Sequence, residues 1–226
     1  MWLRSLSKFL LPTLALVYMS LCAASQEPVA RKSAPKGEFT GLVRLGITTS
    51  QIFGDGFGGY NKLGGTGGVG TYTQISRRLK FQLELNYAMR GSRERSTNAR
   101  PVPVNLLQKY ELHYIDIPLL LKTEISFFEL EFGLLNGIYL FHREWVGGFK
   151  SNELFYAYHF HRYELAANLG INVNLKGNWK FNARVHHSIL PVTGGIATGI
   201  NGIPFISGVH NHVISFCLVR SFHPKK

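Results

Sequence analysis

Three observations predict an all-β fold, an eight-stranded antiparallel up-and-down transmembrane β-barrel with short periplasmic turns and four long extracellular loops. Polar and apolar residues alternate in eight separate stretches. The connections between them run long and short by turns. The chain opens on an export signal. The clearest stretch is KFQLELNYAMRG, residues 80–91, where Phe81, Leu83, Leu85, Tyr87 and Met89 alternate with Gln82, Glu84, Asn86 and Arg90. Successive strand residues point to opposite faces, so this segment has one greasy face and one wet face.

The strands follow in order. The first spans Phe39 to Thr49, with Val43, Leu45 and Ile47 opposite Arg44 and Thr48. The second, Gly65 to Ser76, begins glycine-rich and then sets Thr71, Thr73 and Ile75 against Tyr72 and Gln74. The third is the stretch quoted above. The fourth, Tyr110 to Thr123, sets Ile115, Ile117, Leu119 and Leu121 against Tyr114, Asp116 and Lys122. The fifth, Phe128 to His142, sets Phe132, Leu134, Ile138 and Leu140 against Glu129, Glu131, Gly133 and Gly137. The sixth is Tyr158 to Leu175, with Glu164, Asn168 and Asn172 inward. The seventh is Trp179 to Ser188, with Lys180, Asn182, Arg184 and His186 inward. The eighth is Val209 to Phe222. Most reach the ~9–11 residues that cross a bilayer when tilted. Connections 77–79, 124–127 and 176–178 are short, whereas 51–64, 92–109, 143–157 and 189–207 are long. That rhythm puts the N-terminus in the periplasm and the long loops outside.

The apolar faces run on for ten residues or more, and no amphipathic helix is available to cover them, which favours lipid over a soluble β-sandwich core. Closing the sheet removes its edges, as a membrane requires. The opposite faces carry Arg44, Arg90, Lys122, Lys180 and Arg184 against Glu84, Asp116, Glu129, Glu131 and Glu164, five charges of each sign. A barrel of eight strands is just wide enough for its side chains to fill, so these ten predict a charge-paired, plugged lumen.

Residues 1–25 have a basic start (Arg4, Lys8), an apolar run from Phe9 to Leu21 and small residues at 23–25, the pattern of a secretory signal peptide. Residues 26–37 read as a flexible periplasmic leader and 38–226 as the barrel domain. Of the 226 residues two are cysteines, and removal of the signal leaves Cys217 alone, without an intramolecular disulfide. The formal charge of +12 invites a nucleic-acid reading, but export excludes that partner. The partners expected are outer-membrane lipid, lipopolysaccharide and an envelope or secretion-system protein, with no cofactor.

At the fourth strand, HYIDIPLLLK (His113 to Lys122) resembles the tyrosine–acidic–Ile-Pro-Leu-Leu-Lys signature of the PorT-like bacterial outer-membrane β-barrel family. GLVRLGITTSQIFGD (41–55), LELNYAMRGS (83–92) and LEFGLLNGIYL (130–140) resemble other family segments in order, so the resemblance spans roughly residues 37–222. It implies an eight-stranded outer-membrane barrel without one shared activity; one relative assists a protein secretion system. The chain departs from the common pattern in continuing past Phe222 with His-Pro-Lys-Lys.

Eight of the nine histidines fall at the extracellular rim on this topology. Parity points His113, His142, His159, His161, His187, His210 and His212 outward, and five of them lie on neighbouring strands. An interfacial girdle is the plain reading, since imidazole tolerates the headgroup level as Tyr and Trp do. The sharper one is a metal site from His159, His161, His210 and His212, because residues i and i+2 share a strand face. His186 and Ser188 form an inward His-x-Ser pair resembling that of lipid A deacylase barrels, with Ser as nucleophile and His as base. No Asp or Glu follows Ser188, and Glu164 is the acid on the neighbouring strand. Gly65 to Gly70 matches G-x-G-x-x-G, but without the helix that would present its N-terminus to phosphate. Loop 2 carries Arg93, Arg95 and Arg100, placed to contact lipopolysaccharide phosphates. Loop 4 is glycine-rich and apolar (Ile196, Ile200, Ile203, Phe205, Ile206), a partner surface or a lid over the mouth. These features read as a non-enzymatic barrel, with a lipid A hydrolase or a metal-responsive surface barrel as alternatives.

Overall fold

Alternating apolar residues close into a ring. The computed structural model describes residues 37–55, 58–96, 101–151, 160–193 and 209–222. The segments read from the sequence as a signal peptide and, all but Gly37, as a leader lie outside them, as do residues 223–226. The strands are β1 (Phe39–Phe53), β2 (Lys62–Gln74), β3 (Leu79–Arg93), β4 (Gln108–Ile125), β5 (Phe128–Val146), β6 (Phe149–Ser151), β7 (Tyr163–Asn174), β8 (Trp179–Ser188) and β9 (His210–Phe222). Every neighbouring pair is antiparallel. The ring closes through β4–β5 and through β1–β9, which stay in register from Gly41 opposite Phe222 to Phe53 opposite His210. Eight strands form the barrel, and the short β6 pairs with the upper end of β5 outside the ring.

Outward positions form a continuous apolar belt: Val43, Leu45, Ile47, Leu83, Leu85, Leu119, Phe132, Leu134, Leu169, Phe181, Phe216 and Leu218 are all exposed. So large a patch is stable only when lipid covers it. Among the described residues no helix is long and apolar enough to cross a membrane.

Several boundaries differ from the sequence reading. β4 and β5 are 18 and 19 residues long, more than the ~9–11 a bilayer needs, so β3, β4 and β5 continue above the belt into segments read as loops. There the chain has left lipid, and the alternation that marks a strand fades. The glycines of 65–70 lie inside β2, which starts at Lys62. The inward Gly68 sits so close to β3 that a Cβ would stand 2.2 Å from the Leu85 carbonyl oxygen. Gly68 and Gly70 let β2 approach β3 closely, and the element that follows is a strand rather than the helix a phosphate cradle requires.

The register of β4 against β5 slips at His113/Tyr114, where Tyr114 faces Tyr139 while His113 faces Phe141, leaving Leu140 as an extra residue. A bulge of this kind reverses facing beyond it. His142, read as outward, therefore faces inward opposite Leu112 and bonds to the Tyr139 hydroxyl.

Apolar residues enter the lumen in two places. Leu42, Tyr72, Cys217 and Val219 cluster toward the periplasmic half. Ile52, Leu112, Tyr114, Val192 and Val209, with Tyr139 and Phe160, cap the outer mouth. Val192 and Val209 are the two ends of loop 4, tied by bridges from Thr193 to Phe160 and Val209. The loop's five apolar residues, Ile196 to Ile206, lie outside the described residues.

Candidate functional site

Inside the barrel, strand parity brings ionisable side chains from opposite walls together. All ten predicted lumen residues are buried, none more than 8% exposed. Toward the periplasm Glu129 of β5 accepts from Lys180 of β8 at 2.7 Å and from Lys80 of β3 at 2.8 Å. At mid-height Glu84 accepts from Arg44 at 2.7 Å and from both terminal nitrogens of Arg184 at 2.9 Å. Beside it Glu131 accepts from Arg184 Nε at 2.6 Å, from Lys122 at 3.0 Å and from the amides of Asn172 and Asn182 at 2.9 Å. Near the outer mouth Arg90 pairs with Asp116 and, at 3.2 Å, with Glu164, its guanidinium 3.9 Å from the centre of the Tyr114 ring. Charges this deep persist only with hydrogen-bonded partners. The fork of Arg184 between two carboxylates meets that condition with three charge-assisted bonds.

Two members of this network escaped the sequence reading. Lys80 bridges Glu129 and the half-exposed Glu124. Its signal was its place two residues before Gln82 in the same alternating run.

His186 and Ser188 share the inward face of β8 but are not arranged as base and nucleophile. The Ser188 hydroxyl donates to Glu164 Oε1 at 2.6 Å, and its oxygen accepts from the Asn211 backbone N–H at 3.2 Å. His186 Nε2 lies 2.8 Å from Arg90 Nη1, from which it accepts. Glu164, the acid on the neighbouring strand, thus contacts the serine and Asn211 (2.8 Å) rather than the histidine. A productive triad needs base on nucleophile and acid on base.

The rim histidines divide. His187 stacks on His210 with ring centroids 5.6 Å apart and meets His212 edge-on at 5.3 Å, with Phe53 against both His187 and His212. Tyr60 of loop 1 bonds to His212 Nδ1, and His210 Nδ1 donates to the Ser188 carbonyl at 2.9 Å. His113 is outward by parity yet buried, stacked on Phe141 at 4.1 Å and bonded to Tyr87. His161 is exposed, and His159 lies outside the described residues. Among the described residues no group of three His, Cys, Asp or Glu side chains is arranged to hold a metal ion. In loop 2, Arg93 and Arg95 are exposed, and Arg100 lies outside the described residues.

Several solved barrel structures are similar to the chain at low identity. The attachment invasion locus protein Ail of Yersinia pestis superposes with a TM-score of 0.46 at 15% identity, over 82% of this chain and 99% of Ail. Ail has also been solved with the heparin analogue sucrose octasulfate, at 13% identity and the same TM-score. Neisserial surface protein A gives a TM-score of 0.43 at 12% identity, over 81% of this chain and 97% of that one. The outer membrane protein OprG of Pseudomonas aeruginosa gives 0.43 at 12%, over 84% and 98%. No curated protein matches the sequence. The family model described as outer membrane protein beta-barrel domain matches residues 42–194, more than half of the chain. With a closed ring of strands, a lipid-facing apolar belt and that match, the chain belongs to the outer membrane protein beta-barrel domain family.

Proposed function

We propose that this chain is a non-enzymatic integral outer-membrane barrel with a side-chain-filled lumen, acting through its loops or its periplasmic face on another envelope or secretion component. One observation carries the reading: the ionisable groups of the lumen are occupied by one another. Glu84, Glu129, Glu131 and Glu164 each accept from two or more donors, and Ser188 is tied to Glu164. A lumen organised this way favours a scaffold over a passage or a hydrolase. The placement follows the sequence: signal peptide removed, N-terminus periplasmic, long loops among lipopolysaccharide, Arg93, Arg95 and Arg100 toward its phosphates. The HYIDIPLLLK motif supports a PorT-like position within the family.

Crosslinking in intact outer membranes tests it. A tagged chain is expected to bring down one reproducible envelope protein, and shortening loop 4 between Thr193 and Val209 is expected to abolish the product. No product from either loops or periplasmic face, or an altered lipid A mass in a deletion strain, overturns the reading.

A further inference from the structure

Above the apolar belt four strands end in one lateral row. Arg93 of β3 pairs in register with Lys109 of β4, Lys109 with Trp145 of β5, and Trp145 with Lys150 of β6. Directly opposed residues share a face, and strands lie ~4.8 Å apart, so three cations and an indole stand along about 14 Å. Like charges placed opposite each other destabilise a sheet, yet Arg93 faces Lys109. Among the described residues none of Arg93, Lys109 and Lys150 forms an ion pair within 4 Å, although Lys109 shares the field of Glu111 two residues along. Glu111, one row below, is held by Lys62 at 3.0 Å. Lys109 Nζ is fixed over the Trp145 ring, 3.5 Å from its centre.

A cleft lies against this row. Loop 2 folds back onto the β5–β6 turn, where the Gly147 N–H donates to the Leu107 carbonyl at 2.9 Å. Gly147 has φ +59°, and a Cβ there would stand 2.6 Å from the Asn105 carbonyl oxygen, so the closure requires glycine. The cleft, open to solvent on one side, holds about 360 Å³, with Val104, Leu107 and Trp145 as apolar walls, Arg93 and Lys109 as cations and Glu94 as its one carboxylate. That is within the ~300–1,000 Å³ of small-ligand sites.

Direction and height select the ligand. Arg143 and Trp145 continue the outward parity of Phe141, which stacks on His113 at the top of the belt. Lys109 is four residues further up; at ~3.4 Å per residue and a tilt of ~40°, it stands about 10 Å above the hydrocarbon. Side chains facing sideways at that height meet the saccharide layer of the outer leaflet, not acyl chains. We infer that this cleft binds a phosphorylated saccharide of the outer leaflet, its phosphates met by Arg93, Lys109 and Lys150. The inference rests on the outer-leaflet placement proposed above, and adds Lys109, Trp145 and Lys150 to the arginines of loop 2.

The test uses residues 26–226 refolded in phosphatidylcholine vesicles with Trp179→Phe, which leaves Trp145 as the reporting indole. The probe is core oligosaccharide released from lipopolysaccharide with its phosphates intact. Trp145 emission is expected to titrate with it, and half-saturation is expected to rise at least tenfold in Arg93→Ala/Lys109→Gln/Lys150→Ala. The periplasmic-turn variant Arg77→Ala/Arg78→Ala is expected to match the parent. Equal binding of the dephosphorylated oligosaccharide overturns the inference. So does equal binding of inorganic phosphate, since the sugar then contributes nothing. Tighter binding of polyglutamate makes the row a docking surface for acidic protein instead. A response to intact lipopolysaccharide in the vesicle but not to released oligosaccharide assigns the site to lipid A and also overturns it. Heat-dependent gel mobility of each variant separates misfolding from lost binding. No partner protein is present, so failure here leaves the scaffold reading standing.

Discussion

Glu84→Gln is the most revealing perturbation of the lumen. Glu84 is 2% exposed and accepts from Arg44 (2.7 Å), Arg184 (2.9 Å twice) and Asn86 (2.7 Å). Arg184 keeps Glu131 at 2.6 Å when Glu84 is neutralised. Arg44 keeps only neutral acceptors, Asn182 Oδ1 at 3.1 Å and Cys217 Sγ at 3.0 Å. The variant therefore strands one buried guanidinium. Breaking a buried pair costs about 3–5 kcal/mol, and the glutamine oxygen still accepts one bond worth about 1 kcal/mol. The expected destabilisation is roughly 2–4 kcal/mol, a factor of about 30 to 1,000 in the folding equilibrium. Adding Arg44→Met removes the stranded charge, so the double variant is expected to recover about 1–3 kcal/mol over Glu84→Gln alone. Urea titration in vesicles, read as the ratio of fast to slow bands on unheated gels, gives the order of midpoints: parent, double variant, single variant. A double variant less stable than Glu84→Gln would refute the claim that Glu84→Gln destabilises by stranding the Arg44 guanidinium.

Three further outcomes are expected. Ser188→Ala loses the bond to Glu164 and is expected to cost about 1–2 kcal/mol, with lipid A mass spectra unchanged; an altered lipid A species would restore the hydrolase reading. Gly68→Ala is expected to abolish the fast-migrating folded band, because its Cβ would meet Leu85 backbone at 2.2 Å, whereas Gly65→Ala, with nothing within 4 Å, is expected to refold as the parent does; equal folding of both would refute the close-approach argument. Cys217 is 1% exposed in the lumen, so maleimide labelling of the folded barrel is expected to be at least ~100-fold slower than in urea, where about 3 kcal/mol of protection corresponds to that factor.

What was legible in the sequence followed from a period of two. Phe81 to Met89 and their polar complements state which residues face lipid, and the same parity carries Arg44, Glu84, Asp116, Glu131 and Arg184 into one lumen. Parity within one strand says nothing of register between two. The slip at His113/Tyr114 therefore turned His142 inward unannounced, and the meeting of Glu164 with Ser188 depends on how β7 and β8 are staggered. The upper ends of β4 and β5 were hidden for another reason. Above the belt neither face is selected for lipid, so Gln108, Lys109, Arg143 and Trp145 resemble loop residues although they are laddered.

The seam between β1 and β9 has a consequence for assembly. Arg44 belongs to β1, yet it reaches Glu84 on β3, Asn182 on β8 and the Cys217 sulfur on β9; Arg184 of β8 completes the same cluster from the far wall. A sheet that has inserted but not yet curled shut leaves Arg44 beside Glu84, two strands along the same wall, but holds Arg184 away from Glu84 and Arg44 away from Asn182 and Cys217. Zipping the first strand onto the last is therefore rewarded by the bonds of Arg184 to Glu84 and of Arg44 to Asn182 and Cys217, which an open sheet does not make. That makes the final step of barrel formation abrupt rather than gradual, and makes reopening at the seam as costly as dismantling the middle of the wall.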